Sequence, residues 1–403
     1  MTSADQAGDA TTSSGPADQA RAAAGPLHDI RVIDCATVIA GPSCAKYLAD
    51  FGADVIKVER PPDGDTVRRK GWDDPRDGVS LAWKVWNRNK RTILLDLKEE
   101  AAREQLLRLV ERSNVFIENL RPGKLEALGL GPDVLLARNP RLVVTRVTGF
   151  GQTGPYARRA GFATTAEAMA GWASISGEAG GSPLLPPIAL TDEITGLSAA
   201  LATMVALHSG VGQVVDVNLI ESLFQVLGPL MSVYHATGGL QGRMGSALPN
   251  SIPRGVWQAA DGRWVAVSSS ADSVAARVMR LIGLGEDPRL ATLSGREAHR
   301  ARIDAALGAF IGARPADDVV RAFEEAEAAA AIVLDMAGIS RDPHFLARDA
   351  IVDVEGVRMQ NVVARLSATP GSVRWVGRPL GADTTEVLRE LEEPDEPPRR
   401  PAP

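Results

Sequence analysis

Short apolar runs typical of strands alternate with helical patterns along the first half of the chain, and this alternation limits the possible folds more than any other feature. The predicted strands are Ile30–Asp34, Asp54–Val58, Thr92–Leu97, 114–118, Arg141–Val147 and Val214–Val217. Strands with consecutive apolar residues are typically buried on both faces of a sheet. Strands that alternate with helices favour a parallel sheet with helices on each side. We therefore predict an α/β fold.

The second half of the chain changes in character beyond Gly238, where a glycine-rich loop precedes the predicted strands Gly255–Ala259 and Trp264–Ser268 and helices around 271–283 and 300–329. The chain has 403 residues, more than one hydrophobic core usually supports. A second, smaller α+β domain is therefore predicted. The predicted organisation is a disordered tail at 1–25, a large domain at 26–225, a linker helix and small domain at 226–330, a return segment at 331–392 and a flexible tail at 393–403. A helix is also predicted at 220–238, after the last strand of the large domain.

Charge and cysteine content argue against several classes of function. The net charge is −6 and the isoelectric point about 5.6, whereas nucleic-acid binding usually needs a dominant basic surface. Two cysteines, Cys35 and Cys44, are too few for a disulfide framework, and the five histidines show no metal-ligand spacing. The longest apolar stretch, Leu197–Leu207, is shorter than a membrane span, and the N-terminal residues lack the pattern of a secretory signal. We expect a cytoplasmic protein with no metal, nucleic-acid or membrane partner.

Several basic residues lie near loops or at the ends of the predicted strands. No G-x-G-x-x-G follows the first strand, which removes the main support for dinucleotide binding. These basic residues are Lys57, Arg60, Arg68, Arg69, Lys70, Arg88, Lys90, Arg91, Lys98, Arg121 and Lys124. The carboxyl ends of parallel strands share one crevice, so converging cations there favour a phosphorylated ligand. The alternative is that they are solvated loop residues.

A candidate nucleophile lies in the sequence Thr191-Asp192-Glu193, at the predicted start of a long helix near Asp192. In the commoner arrangement, Thr191 is the N-cap of the helix and the acidic residues in the first turn stabilise it, without any catalytic role. However, the backbone amides at the start of a helix also favour an ionised carboxylate, and such a carboxylate can attack an acyl carbon. From these residues alone both interpretations stay open.

Six motifs occur in order between residues 26 and 392. They are 34–42 (DCATVIAGP), 52–68 (GADVIKVER, then GD and R), 89–98 (NKR, then LDLK), 116–123 (FIENLRPG), 149–156 (GFGQTGPY) and 187–196 (PIALTDEITG). Together they resemble the family III CoA-transferases, also called the carnitine dehydratase/bile-acid-inducible family, which includes formyl-CoA transferase and carnitine CoA-transferase. The segment 210–224 and Asp261-Gly262 continue the resemblance.

The resemblance implies a fold, an assembly and a set of site residues. Members of this family bind coenzyme A on a Rossmann-like large domain, and two subunits interlock as a homodimer. The position that matches the family nucleophile is Asp192. The positions that match contacts to CoA are Ile39, Ala40, Arg60, Leu95, Lys98, Asn119 and Arg121.

Three positions depart from patterns found in the family. Phe162 stands where the racemase branch has a proton-shuttling histidine, and a phenyl ring cannot exchange a proton. Ala163 replaces an acidic residue of many transferases, and Ala127 replaces an arginine that some relatives use on CoA. Glu167 is the nearest carboxylate that could substitute for the one missing at Ala163, although a solvated or capping role is the commoner one for such a glutamate.

The resemblance thus implies a CoA-transferase (EC 2.8.3 type) that moves CoA from an acyl-CoA donor to a carboxylic acid acceptor. The implied route passes through an anhydride and a CoA thioester on Asp192, and needs no metal. Two alternatives stay open at this point: an acyl-CoA racemase or isomerase that uses Asp192 with another acid, and a catalytically silent protein that binds CoA esters.

Overall fold

The computed structural model describes residues 25–393. Apart from Gly25 and Glu393, the predicted tails at 1–25 and 393–403 lie outside the described residues. The strands are β1 (Arg31–Asp34), β2 (Asp54–Glu59), β3 (Lys90–Leu94), β4 (Val115–Glu118), β5 (Val143–Thr148), β6 (Gln213–Asn218), β7 (Arg254–Gln258), β8 (Trp264–Ser268), β9 (Ala329–Ile332), β10 (Ile351–Val354) and β11 (Val357–Gln360).

The helices of the described chain follow the strands in the order expected for an α/β protein. They are α1 (Ala40–Asp50), α2 (Leu81–Trp86), α3 (Glu100–Glu111), α4 (Lys124–Ala127), α5 (Pro132–Arg138), α6 (Ala163–Met169), α7 (Trp172–Ile175), α8 (Leu190–Ser209), α9 (Leu219–Gln225), α10 (Leu230–Thr237), α11 (Asp272–Leu281), α12 (Leu293–Ala298), α13 (Arg300–Gly312), α14 (Ala316–Glu325), α15 (Met336–Ile339), α16 (Pro343–Ala347) and α17 (Thr384–Glu390).

Strands β1 to β6 form one sheet in the order β3-β2-β1-β4-β5-β6. Every neighbouring pair is parallel: Val32 of β1, for example, lies opposite Val55 of β2 on one side and Val115 of β4 on the other. The predicted parallel sheet is thus confirmed. On one side of β1 the chain adds β2 and then β3, and it then crosses over to place β4, β5 and β6 on the other side of β1.

The two faces of this sheet pack against different helices, because successive residues of a strand point to opposite faces. Val32 packs in a cluster that includes residues of α1 and α8. Ile33, the next residue, packs in a second cluster with residues of α3, α5 and α17. Both side chains are fully buried. The helices therefore cover both faces, as predicted.

Contacts divide the chain into two compact units. Unit 1 runs to Ala170, resumes at Pro186–Leu227 and resumes again from Ala347; unit 2 consists of Gly171–Leu185 and Gly228–Leu346. The segment Gly171–Leu185 falls in unit 2, although the sequence interpretation had included it in the domain 26–225. Local hydrogen bonds explain this grouping, since the Gly245 amide donates to the Gly177 carbonyl at 2.8 Å.

The C-terminal part of unit 1 is bound to the sheet by β3. The Thr92 amide donates to the Asp383 carboxylate at 2.8 Å, and the Asp383 amide donates to the Thr92 carbonyl at 2.9 Å. Glu390 of α17 forms ion pairs with Arg31 at 3.1 Å and with Arg91. These contacts keep α17 on its face of the sheet although it is about 290 residues from β3 in sequence.

Unit 2 contains the antiparallel sheet β7-β8-β9, and its core lies between this sheet and helices α11, α13 and α14. Two helices predicted from the sequence are each divided in the structure. The helix predicted at 300–329 is divided into α13 and α14, because Pro315 lacks the N–H that would continue the first helix, and the last predicted residue, Ala329, begins β9 instead. The prediction at 220–238 is interrupted at Gly228, whose φ is +61°.

Helix α8 carries the candidate nucleophile. Among residues 25–393 it is the one helix long and apolar enough, by length and composition alone, to cross a membrane. Core helices of globular domains meet the same criterion, and α8 has one buried side: Ala199, Thr203 and Ala206 are buried, and the Thr203 hydroxyl lies 2.7 Å from that of Thr145 in β5.

Candidate active site

The site begins where the strand order reverses between β1 and β4. The loops that leave these two strands diverge there, which in open parallel sheets creates the crevice used by ligands. The two loops are joined by a pair of hydrogen bonds: the Thr37 amide donates to Asn119 Oδ1 at 2.8 Å, and Asn119 Nδ2 donates to the Thr37 carbonyl at 2.6 Å. Asn119, a predicted CoA contact, therefore connects the two walls of the crevice.

The other predicted CoA contacts lie at the carboxyl ends of the four adjoining strands. Ile39 and Ala40 follow β1 and begin α1, Arg60 follows β2, and Arg121 follows β4. Strand β3 ends at Leu94 instead of the predicted Leu97, so Leu95 and Lys98 lie in the loop that follows it. Arg60, Lys98 and Arg121 are exposed, and none has an ion-pair partner in the described part of the chain, whereas Leu95 is buried.

The basic residues singled out in the sequence separate into two groups. One group forms ion pairs, and its members are Lys57 (with Asp34 and Asp65), Arg68 (Glu59), Arg69 (Asp63), Arg88 (Asp50), Lys90 (Asp34) and Arg91 (Asp54 and Glu390). The other group, without ion pairs within residues 25–393, consists of Arg60, Lys70, Lys98, Arg121 and Lys124. The sequence-based patch was thus too large, because much of it neutralises carboxylates of the same unit.

Buried charges hold the loop between β1 and α1. Asp65 is buried, pairs with Lys57 at 3.3 Å and accepts a hydrogen bond from the Val38 amide at 3.1 Å. Val38 has a φ of +69°, an unfavourable conformation for a β-branched residue. Such strain persists only where surrounding contacts enforce it, and it is commonest at functional sites. Ile39 follows directly, so its backbone position depends on this buried pair.

The first turn of α8 presents Asp192 between two residues that are held in place. The Thr191 hydroxyl donates to Glu167 Oε1 at 2.9 Å, and both residues are buried. On the other side, Glu193 accepts hydrogen bonds from four side chains, which we call the Glu193 anchor: Ser43 (3.0 Å), Lys46 (3.3 Å), Tyr47 and Trp86 (2.7 Å). Asp192 itself is half-buried and has no hydrogen-bond partner among the described residues.

The capping interpretation of this segment is wrong. The N-cap of α8 is Ala189, which provides no side-chain hydrogen bond, and the Thr191 hydroxyl is directed to Glu167 instead of a backbone amide. Glu167 is also not the solvated or capping residue that the sequence favoured, since it is 3% exposed. Phe162, in contrast, is 67% exposed and precedes α6.

Helices α1 and α8 meet without a side chain between them at Gly196, one turn after Asp192. A Cβ atom at Gly196 would lie 2.7 Å from Ser43 Cβ and 3.0 Å from the Ala40 carbonyl oxygen. The absence of that atom lets the start of α8 lie against the start of α1. Asp192 and the predicted contacts Ile39 and Ala40 are therefore on helix starts that pack together.

Comparison with known proteins identifies the family. The family model described as CoA-transferase family III matches residues 27–384. The chain belongs to CoA-transferase family III. It is 40% identical to the succinyl-CoA–D-citramalate CoA-transferase of Chloroflexus aurantiacus over 91% of this chain and 94% of that protein. It is 35% identical to the succinate–glutarate CoA-transferase of Agrobacterium fabrum over 91% of this chain and 96% of that protein.

Solved structures agree with this family III assignment. A CAIB/BAIF family protein from Brucella suis superimposes with a TM-score of 0.81 at 33% identity, over 91% of this chain and 99% of that one. Rv3272 from Mycobacterium tuberculosis superimposes with a TM-score of 0.79 at 28% identity, over 90% of this chain and 99% of that one. With the curated relatives, these matches make the chain a CoA-transferase, an enzyme that passes CoA from an acyl-CoA to a carboxylic acid.

The electrostatic environment of Asp192 suits a nucleophile in a family III enzyme. Burial, together with the negative charges of Glu167 and Glu193 and against the opposing charge of Lys70, raises the pKa of Asp192 to about 6. A carboxyl group with that pKa is roughly nine-tenths ionised at pH 7. Asp192 therefore remains an anion at neutral pH, yet is more basic than an ordinary aspartate.

Sequence reasoning missed the Glu193 anchor. Ser43, Lys46 and Tyr47 lie on one face of α1 at helical spacing, and this was the only local signal available. Trp86 ends α2 and is 107 residues from Glu193.

No three histidine, cysteine, aspartate or glutamate side chains within residues 25–393 are grouped so that they would hold a metal ion.

Proposed function

We propose that this family III enzyme transfers CoA between dicarboxylic acids, with Asp192 as the nucleophile. The observation that carries the proposal is the half-buried Asp192 carboxylate, which has no partner within residues 25–393 while Thr191 and Glu193 on either side are held. The choice of dicarboxylic acids is supported by the relatives, which are named for succinyl-CoA with citramalate or malate and for succinate with glutarate.

In the proposed mechanism an Asp192 oxygen attacks the carbonyl carbon of the donor thioester. The C–S bond breaks, CoA leaves as a thiolate, and a mixed anhydride remains on Asp192. The thiolate then attacks the aspartyl carbon of the anhydride, which releases the donor acid and forms an aspartyl-CoA thioester. The acceptor carboxylate attacks the aspartyl carbon of this thioester, the C–S bond breaks, and a second mixed anhydride forms with release of the CoA thiolate. The thiolate then attacks the acceptor acyl carbon of the anhydride, which gives the acceptor acyl-CoA and restores the Asp192 carboxylate. The energy of the thioester bond is conserved throughout, so no other energy source is needed.

We assign the binding of CoA to the loops at the carboxyl ends of β1 to β4. Arg60, Lys98 and Arg121 are exposed cations that form no ion pair with any residue from 25 to 393, and they suit the phosphate groups of CoA. The backbone of Ile39 and Ala40, close to the start of α8, suits the thiol end. Binding energy from the distant nucleotide then helps to position the acyl carbon for attack.

We further propose an interlocked homodimer in the cytoplasm. Helix α8 has an apolar stripe at intervals of four residues, Leu197, Leu201 and Val205, and each of these side chains is more than half exposed. A second copy of the chain would cover such a stripe. Both cysteines, Cys35 and Cys44, are free thiols, which suits a reducing compartment. Light scattering that finds a stable folded monomer at micromolar concentration would contradict the dimer.

The test of the nucleophile compares Asp192→Asn with Asp133→Asn. Asp133 is an exposed carboxylate in the first turn of α5 and controls for the loss of a charge at a helix start. Asp192→Asn is expected to fold and to lose at least 10²-fold in kcat, because an amide is a far poorer nucleophile. Asp133→Asn is expected to keep its activity.

Trapping identifies the intermediate directly. Wild-type enzyme incubated with succinyl-CoA and hydroxylamine is expected to lose activity and to carry a hydroxamate on Asp192, detected by mass spectrometry of the peptide. Near-normal turnover by Asp192→Asn, or a hydroxamate on another residue, would overturn the assignment. Absence of transfer with every pair of acids in wild-type enzyme would instead favour a silent CoA-ester-binding protein.

A further inference from the structure

Glu193, next to the proposed nucleophile, accepts hydrogen bonds from four side chains on two helices. Its carboxylate accepts from Ser43, Lys46 and Tyr47 on one face of α1 and from Trp86 Nε1 at the end of α2. A carboxylate has about four lone-pair sites, and four donors occupy them. Glu193 therefore has no free lone pair with which to attack a thioester, although it is adjacent to Asp192.

Glu193 is held as an anion. Burial by itself would raise its pKa, but the positive charge of Lys46 and the hydrogen bonds from Tyr47, Ser43 and Lys46 bring the pKa below its ordinary value. The Lys46 ammonium lies 3.3 Å from Glu193 and is largely buried. Glu193 therefore places a negative charge next to Asp192 at neutral pH.

The start of α8 needs such an anchor. The first amides of a helix have no partner within the helix, and a side-chain N-cap usually binds one of them and prevents fraying. Ala189, the N-cap of α8, provides none. The Glu193 anchor instead binds the first turn to α1 and α2, and the contact at Gly196 holds the next turn to α1.

We propose that Glu193 is a positioning residue for the transfer reaction: through its four donors it holds the uncapped first turn of α8 so that Asp192 keeps one orientation toward the thioester. This inference rests on the proposed role of Asp192 as nucleophile. It explains why three carboxylates, Glu167, Asp192 and Glu193, lie close together while only Asp192 lacks a hydrogen-bond partner in the described chain.

The test uses Glu193→Gln, which keeps the size of the side chain and removes its charge. The amide oxygen of the new glutamine can still accept hydrogen bonds. Its NH2 group, however, faces donors from α1 and cannot accept hydrogen bonds from Lys46 and Tyr47. A displacement of about 1 Å at a reacting group can cost 10²-fold in rate. We expect kcat to fall about 10²-fold, while the KM for acyl-CoA changes less than about threefold because no proposed CoA contact is altered.

The pH profile distinguishes positioning from a merely structural role. The charged groups that act on Asp192 are Glu167, Glu193 and Lys70. Removing the charge of Glu193 is expected to move the acid limb of the kcat/KM profile to lower pH. Glu193→Asp keeps the charge but cannot reach all four donors, so its kcat is expected to fall with the acid limb unmoved. Trp86→Phe, which removes one donor and no charge, is expected to lower kcat by a smaller factor.

The outcomes separate this inference from the proposed nucleophile. Slower formation of a hydroxamate, still on Asp192, in Glu193→Gln supports both. A wild-type kcat and an unmoved acid limb in Glu193→Gln would overturn the positioning role, whereas a wild-type enzyme that is never labelled on Asp192 would overturn the nucleophile instead. If Glu193→Gln does not fold, Trp86→Phe decides: a reduced kcat with unchanged KM and thermal stability supports positioning, and an unchanged kcat refutes it.

Discussion

Gly196 is where α8 comes closest to α1, and Gly196→Ala tests whether that contact sets the geometry of the site. The added Cβ would lie 2.7 Å from Ser43 Cβ and 3.0 Å from the Ala40 carbonyl oxygen. Carbon atoms in contact prefer about 3.5–4.0 Å, so the two helices must separate by about 1 Å. Overpacking of this kind costs about 1–3 kcal/mol, and the better helix propensity of alanine returns about 1 kcal/mol. The expected loss of stability is therefore about 0–2 kcal/mol.

The effect on activity is expected to exceed the effect on stability. A separation of about 1 Å moves Asp192 away from the loop that carries Ile39 and Ala40, and a displacement of that size can reduce kcat by about 10²-fold. Urea unfolding and steady-state CoA transfer measure the two quantities. Gly312→Ala in α13 is the control, since its Cβ would meet only Gln258 O at 3.8 Å. A Gly196→Ala enzyme that gains about 1 kcal/mol and keeps its kcat would refute the reasoning.

Three further predictions concern charge. Arg60→Ala and Lys98→Ala should each weaken CoA binding by about 1–3 kcal/mol in calorimetric titrations, with a loss that shrinks in high salt; unchanged affinity would mean that both are solvated loop residues. Lys70→Met removes the cation that lowers the pKa of Asp192, so that pKa rises and the acid limb of the pH–rate profile moves to higher pH; an unmoved limb would contradict the effect of Lys70 on Asp192. Lys90→Met leaves Asp34, its partner at 2.8 Å, without that buried ion pair and should cost about 3–5 kcal/mol in urea unfolding, whereas a cost below about 1 kcal/mol would show that Lys57 alone compensates Asp34.

The parallel sheet was predictable because its signal is local. Each strand is a short apolar run bounded by turn residues, and the alternation with helices leaves few topologies. The errors in the helices lay in two long segments: 220–238 and 300–329 keep a helical pattern across Gly228 and Pro315. Whether a helix continues through such a residue depends on the tertiary contacts on either side of it.

The cations were predictable as a group and not one by one. Arg60 and Arg68 lie eight residues apart beside the same turn, yet Arg68 pairs with Glu59 at 2.6 Å and Arg60 has no ion-pair partner in the described chain. Both residues were grouped together in the sequence as basic residues that flank this turn. The difference arises from the fold of the turn, which brings Arg68 back over the end of β2.

The sequence by itself determined the α/β class, the order of the family motifs and, through that resemblance, Asp192 as the candidate nucleophile, because each of these is encoded in residues close together along the chain. It did not indicate which of the neighbouring carboxylates Glu167, Asp192 and Glu193 are held by other side chains. The tertiary structure shows this: the Thr191 hydroxyl donates to Glu167, and donors from α1 and α2 bind Glu193, whereas Asp192 has no hydrogen-bond partner among residues 25–393. The donors to Glu193 lie 107 to 150 residues away in sequence, so these hydrogen bonds exist only once the helices have packed.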